Sequence, residues 1–183
     1  MTSRLTVIAG PTAVGKGTVI KHILDNYPQV KLSVSATTRA PRPGEVDGVS
    51  YHFLSTDAFD AKIAAGQMLE YAVVHGANKY GTLREPVEQA LAAGEQIILE
   101  IDIQGARQVK AAMPEANLIF IAPPSWEELV HRLTGRGTES AEEQARRLET
   151  ARTELAAQGE FDHVVINDEV AECARRIVEL MQD

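Results

Sequence analysis

Residues 5–9, Leu-Thr-Val-Ile-Ala, are almost wholly apolar, as a strand covered on both faces would be. Further strand candidates of this kind lie at 31–34, 97–101, 118–122 and 163–166. Between them the apolar positions recur with helical spacing. In 16–27, Val19, Ile20, Ile23 and Leu24 share one side, and Pro28 ends the segment. Helical patterns also cover 83–93, ended by Gly94; 104–113, ended by Pro114; and 125–134, 140–157 and 169–181. The 140–157 segment opens on Ser140-Ala141-Glu142-Glu143, a capping box in which the serine and glutamate side chains each accept from the other residue's backbone N–H. Strand and helix alternate, which predicts an α/β protein with a parallel sheet and helices on both faces.

Residues 35–82 break the alternation. Thr38-Arg39-Ala40-Pro41-Arg42-Pro43-Gly44 is irregular, because each proline lacks an N–H and biases the residue before it toward extended backbone. Asp47-Gly48 signals a tight turn; a strand near 50–54, a helix over 57–65 ended by Gly66, and a strand near 68–74 follow. This predicts a small mixed α/β insertion on the sheet. Gly135-Arg136-Gly137-Thr138 forms a second irregular stretch, able to hinge. One domain is expected over 1–183: a core of 1–34, 83–134 and 158–183, an insertion of 35–82 and a short helical lid of 135–157.

Composition narrows the partners. With 183 residues, 44% of them hydrophobic, the chain can bury a core without disulfide or metal staples. Lysine and arginine number 18 against 26 aspartate and glutamate, a formal charge of −8. That balance argues against nucleic acid and anionic membrane as partners, so an anionic ligand needs a local basic pocket. Cys173 is the single cysteine, cannot form an internal disulfide, and falls at core spacing from Val170 and Ile177. The apolar run before Gly10 is too short for a secretory leader, and no stretch is long enough to cross a bilayer. A cytoplasmic protein is expected.

The strongest chemical signal is Gly10-Pro11-Thr12-Ala13-Val14-Gly15-Lys16-Gly17-Thr18, set between a strand and an amphipathic helix. Glycines let successive backbone N–H groups curl around a phosphate, and the helix adds its positive dipole end. Lys16 supplies a point charge, and the Thr18 hydroxyl is placed to bind phosphate or Mg²⁺. Gly17 separates lysine from threonine, a form that resembles the loop of nucleoside monophosphate kinases. The loop predicts nucleotide binding without identifying the reaction. A second anion site lies in the insertion, where Arg39 and Arg42 are three residues apart, stiffened by prolines and flanked by hydroxyls. Arginine forks match phosphate oxygens, and Tyr51 can add a phenolic hydroxyl. Glu100 and Asp102 end a buried strand and point to one side, in the region where open α/β sheets gather ligands. Such carboxylates can hold a magnesium-bound water or accept from a base amine.

The stretches from Ser33-Val34-Ser35 to Tyr51-His52-Phe53, Leu99 to Gly105, Phe120 to Ser125, Arg132 to Thr138 and Val165-Ile166-Asn167-Asp168, together with the phosphate loop, resemble guanylate kinases in the same order over nearly the whole chain. The resemblance implies a three-layer P-loop NTPase fold and transfer of a phosphoryl group from ATP to GMP with Mg²⁺, Thr18 and Glu100 being its direct or water-mediated contacts. It implies that Ser35, Arg39, Arg42, Tyr51 and Tyr80 hold the GMP phosphate, and that Glu70 and Thr82 read guanine. Either Glu100 or Asp102 serves the base or the metal. Residues 10–18 with Arg132, Arg136 and Asn167 match the ATP side. Lys16, Arg39, Arg136 and Arg147 match the catalytic cations. The partners implied are ATP and GMP, with dGMP beside it, in a monomer or homodimer. Thr82 also fits a cap for the next helix, because Glu85 follows three residues later and Pro86 comes next. The segment 75–82 is one residue longer than the usual pattern, so that Ala77 bulges or Tyr80 shifts. Two alternatives stay open: another small-molecule kinase of this architecture, which would lack Glu70 with Thr82, and a binding-only module, which would carry a degraded phosphate loop.

Overall fold

The computed structural model describes residues 5–74, 76–135 and 140–182. Its core is a parallel sheet of β1 (Thr6–Ala9), β2 (Val30–Leu32), β7 (Gln96–Glu100), β8 (Asn117–Ala122) and β9 (His163–Ile166), in the order β2-β7-β1-β8-β9. Strand 31–34 of the sequence reading thus begins and ends earlier. Ser33 N–H still donates to the Ile98 carbonyl at 2.9 Å, but the pairing stops there as the chain departs for the insertion.

Each core strand sends alternate residues to opposite faces. Ile8, Ile98, Ile119 and Ile121 meet α1 (Lys16–Asn26), α5 (Trp126–Thr134) and α7 (Val170–Leu180) through Val19, Ile23, Leu129 and Ile177. Val7, Ile97, Leu99 and Leu118 meet α3 (Arg84–Ala92) and α4 (Ile103–Ala112) through Val87, Ala106 and Val109. This is the three-layer arrangement that the alternation predicted. Cys173 packs with the first face, and burial pushes its thiol up to about 11. A thiol reagent such as dithiobisnitrobenzoate is therefore expected to leave the native protein unlabelled and to react in full once denaturant unfolds it.

The insertion forms a second sheet, β4-β3-β6-β5, from β3 (Ala36–Thr37), β4 (His52–Phe53), β5 (Met68–Val74) and β6 (Asn78–Leu83). Ala36, Phe59 from α2 (Thr56–Ala64) and Met68 make its small core. The sequence reading has no strand at 78–83. There Lys-Tyr-Gly-Thr offers little hydrophobic pattern, and the strand exists because antiparallel pairing to β5 supplies its partners. Among the described residues no helix is long and apolar enough to cross a membrane.

The last long helix, α6 (Ala141–Ala156), begins with the expected reciprocal Ser140–Glu143 cap. Trp126 packs against the core while the Arg152 guanidinium of α6 covers its ring at 5.1 Å from the centroid. α6 thereby packs on α5, and Glu154 near its end lies beside Gly10 and Thr12.

Candidate active site

The phosphate loop leaves β1 and enters α1 at Lys16. Ala13 (φ 68°) and Gly15 (φ 95°) are both left-handed, a conformation that turns neighbouring N–H groups to one side. The loop is clamped from below. Val14 N–H donates to the Pro11 carbonyl at 3.2 Å. The Val14 carbonyl accepts from Asn167 Nδ2 at 2.8 Å and from Arg132 Nη1 at 3.3 Å. A Cβ on Gly10 would stand 2.4 Å from the Ile121 carbonyl oxygen, so the loop can lie this close to β8 only with glycine there. Asn167, matched by resemblance to the ATP side, is buried and braces the loop. Asn167→Ala is expected to cost about 1 kcal/mol, since the Val14 carbonyl loses its shorter hydrogen bond and keeps only the longer one from Arg132, and to raise KM for ATP more than KM for GMP. Chemical denaturation and steady-state kinetics check both.

Lys16 folds back so that Nζ donates to the Gly10 carbonyl at 2.6 Å. Burial lowers its pKa, while the charges of Glu154, Glu100 and Asp102 act in the opposite direction. Thr12 N–H donates to Glu154 Oε2 at 3.1 Å. Gly17 and Thr18 are exposed on the first turn of α1.

Across the cleft the arginine loop is also held by an internal carboxylate. Arg39 Nη1 and Nη2 donate to the two oxygens of Glu45 at 3.0 and 2.9 Å, and Arg42 N–H adds a bond of 2.7 Å. These bonds hold the Glu45 carboxyl at about 2. Arg39 is kept firmly protonated by Glu45 and, secondarily, by a hydrogen bond with Tyr80. Its guanidinium lies 5.3 Å from the Tyr51 ring centroid, and Tyr51 meets Tyr80 edge-on at 6.0 Å. Arg39, Tyr51 and Tyr80 are thus one cluster. The Arg42 side chain stands exposed beside it, and Ser35 lines the cleft. Gly48 takes φ 76° and donates to the Tyr51 carbonyl at 2.7 Å, the turn that brings Tyr51 inward.

Glu70 and Thr82 are brought together by strand register. A bulge in β5 between Met68 and Glu70 sets Glu70 directly opposite Thr82 on β6, so both side chains share a face. Thr82 Oγ1 donates to Glu70 Oε1 at 2.8 Å, and both residues are buried. Burial raises the Glu70 pKa; the Thr82 hydroxyl opposes this and the Asp102 charge adds to it. The capping role considered for Thr82 is not taken up: α3 begins at Arg84, its cap residue is Leu83, and no side chain caps it. The hydroxyl has gone to Glu70 because register places that carboxylate within reach. Tyr80 pairs opposite Ala72, and a turn at Gly76–Ala77 precedes β6.

A cleft of about 610 Å³ lies between the phosphate loop and the start of the insertion, lined by Gly10, Thr12 and Lys16, by Ser35 and Tyr51, and by Glu100 and Asp102. Asp102 also caps α4, accepting from Gly105 N–H at 2.7 Å. Arg132 and Arg147 flank a smaller hollow beside Thr12 and Ala13. Arg136 lies outside the described residues. Among the described residues no trio of His, Cys, Asp or Glu converges on a metal position.

Three participants escaped the sequence reading. Glu45 follows Arg42 by three residues, a spacing that could have marked it as the partner of this loop. Glu154 falls seven residues after Arg147 on one helix, hence on the same face, and that spacing was its only signal. Gln108 exchanges two hydrogen bonds of 3.1 Å with the Tyr71 backbone, clipping β5 to α4. Nothing local in the sequence marks Gln108, because its partner is bare backbone.

A phosphate-type loop on a parallel sheet, opening on the same cleft as the insertion that carries Arg39 and Arg42, defines a P-loop phosphotransferase. Solved structures agree on the fold: guanylate kinase from Anaplasma phagocytophilum matches with TM-score 0.74 and 31% identity over 99% of this chain and 85% of that one. Shikimate kinase from Bacteroides thetaiotaomicron shares the fold at TM-score 0.52 and 12% identity, covering 98% of this chain and 99% of that chain. Residues 2–183 match the guanylate kinase family pattern. The chain is 67% identical to a guanylate kinase of Leifsonia xyli over 97% of this chain and 70% of the relative, and 57% identical to one of Nocardia farcinica over 97% and 92%. It belongs to the guanylate kinase family.

Proposed function

We propose that the enzyme transfers the γ-phosphoryl group of ATP to GMP, giving ADP and GDP, and that the cleft holds the two nucleotides end to end. Family membership carries the reaction. The observation that supports the guanine assignment is the buried Glu70–Thr82 pair. Ionised Glu70 accepts from guanine N1–H and the exocyclic amine, while Thr82 turns its hydroxyl toward O6. Adenine has no such pair of donors and would leave a buried carboxylate unsatisfied. The GMP phosphate replaces Glu45 on Arg39, with Arg42, Ser35, Tyr51 and Tyr80 around it. dGMP is accepted too, because these contacts reach phosphate and base rather than the ribose 2′-hydroxyl.

The loop N–H groups and Lys16 hold the ATP phosphates. The GMP phosphate oxygen is already anionic, so attack on the γ-phosphorus needs no general base. What the chain supplies is alignment and positive charge from Lys16, Arg39, Arg132, Arg136 and Arg147 as the bridging oxygen leaves with ADP. The exposed Thr18 hydroxyl and the Glu100 carboxylate fit a phosphate-borne Mg²⁺, an ion that keeps several waters and needs only one or two protein oxygens. When bound, Mg²⁺ neutralises charge on the β- and γ-oxygens. Movement of the insertion and of the 135–157 segment over the cleft excludes water and limits wasteful hydrolysis. A coupled ADP-release assay with ATP, Mg²⁺ and each of GMP, dGMP, AMP, CMP and UMP tests the reading. Turnover confined to GMP and dGMP is expected; equal use of AMP would remove the role given to Glu70.

A further inference from the structure

The Glu154 carboxylate occupies a place made for phosphate. It stands near the end of α6, 142 residues from Thr12 in sequence, and accepts the Thr12 N–H within the anion-binding loop. It lines the same cleft as Gly10, Thr12 and Lys16. Its charge acts on Lys16 more strongly than those of Glu100 or Asp102. The loop therefore already binds an anionic group, and that group belongs to the lid helix. A donor phosphate oxygen seeks the same N–H and the same ammonium, and two anions cannot share them without strong repulsion. Seven residues earlier, two turns back on the same face, Arg147 lines the hollow beside Thr12 and Ala13. A shift of α6 that withdraws Glu154 also moves Arg147 relative to the loop.

We propose that Glu154 is a resident stand-in for a donor phosphate oxygen: it holds the Thr12 N–H in the unliganded enzyme and withdraws when ATP or ADP binds, coupling donor binding to the position of α6. This rests on the reading of residues 10–18 as the ATP-phosphate site. The carboxylate keeps the loop in its binding conformation while the site waits, and lowers affinity for the donor by competing with it. Withdrawal then exchanges a negative charge for an approaching phosphate.

The test is calorimetric titration of ADP, without divalent metal and without GMP, into wild type and Glu154→Gln. Glutamine keeps an acceptor for Thr12 and removes the charge. The dissociation constant for ADP is expected to fall by about tenfold in the variant, with that for GMP unchanged within about twofold. Equal or weaker ADP binding by Glu154→Gln overturns the proposal, since Glu154 would then support the loop without competing. A second measurement needs no folded variant. In wild type labelled with ¹³C at glutamate carboxyls, the Glu154 resonance is expected to move when ADP saturates the site, and a resonance that stays in place overturns the proposal. If wild type fails to bind ADP at all, the ATP-site reading falls first, and the two failures are thereby told apart.

Discussion

Lys16→Met is expected to lower turnover by about 10³-fold or more while leaving GMP affinity within about twofold of wild type. Methionine keeps most of the length and apolar volume of the side chain and removes its charge. Nζ donates to the Gly10 carbonyl of the same loop, a local bond on which little of the fold depends. The transferring phosphoryl group needs a cation at the loop, and methionine supplies none. In the proposed reading GMP is held by the Arg39 cluster and the Glu70–Thr82 pair, whereas Lys16 Nζ bonds the Gly10 carbonyl of the phosphate loop. Coupled ADP release measures the first quantity and calorimetry with GMP the second. Retained turnover would remove Lys16 from the mechanism; lost GMP binding would show the two halves of the cleft to be one site.

Glu70→Gln should reduce kcat/KM for GMP by about 10²- to 10⁴-fold, two charge-assisted hydrogen bonds being replaced by one neutral bond and one clash of donors. The same change should stabilise the fold at neutral pH. Burial raises the Glu70 pKa, so the native state holds its proton more tightly than the unfolded chain. The wild type then loses stability as pH rises from the unfolded value through the raised native one. Glutamine has no such charge to bury and still accepts from Thr82. The pH trend of GMP affinity runs the other way. Protonation of Glu70 at acid pH removes an acceptor, so KM for GMP should climb as pH falls toward the raised pKa. The glutamine variant should lack that component. Thermal melts across pH, paired with KM profiles, check both signs.

Much of this architecture was legible because its signals are local. The strand–loop–helix around Lys16 carries its glycines, lysine and threonine within nine residues, and the capping box at Ser140 needs only four. Arg39, Arg42 and Tyr51 sit on one loop, and their clustering follows from the turn at Gly48. The pairing of Glu70 with Thr82 was less accessible, for it depends on a bulge in β5 and on a strand, β6, whose sequence lacks apolar alternation. Thr82 looked like a helix cap for the same reason: a capping pattern is local, and the competing carboxylate arrives through sheet register. Glu154 and Gln108 were invisible in practice. Each bonds to backbone on a distant segment, and backbone has no sequence signature.

The strand order has a consequence for how the chain is made. β1 is made long before either of its neighbours: Thr6 pairs with Ile98 on β7 and with Asn117 on β8. β2 is of no help, because β7 lies between it and β1. At about 5–20 residues per second of synthesis, β1 and the apolar face of α1 wait several seconds for partners. The insertion emerges meanwhile with a small core of its own. Its edge strand, paired to β6, gains a further anchor when α4 brings Gln108 to Tyr71. The nascent polypeptide therefore keeps the apolar surface of β1 and α1 uncovered until β7 and β8 have been made, and the central sheet closes around β1 late rather than strand by strand.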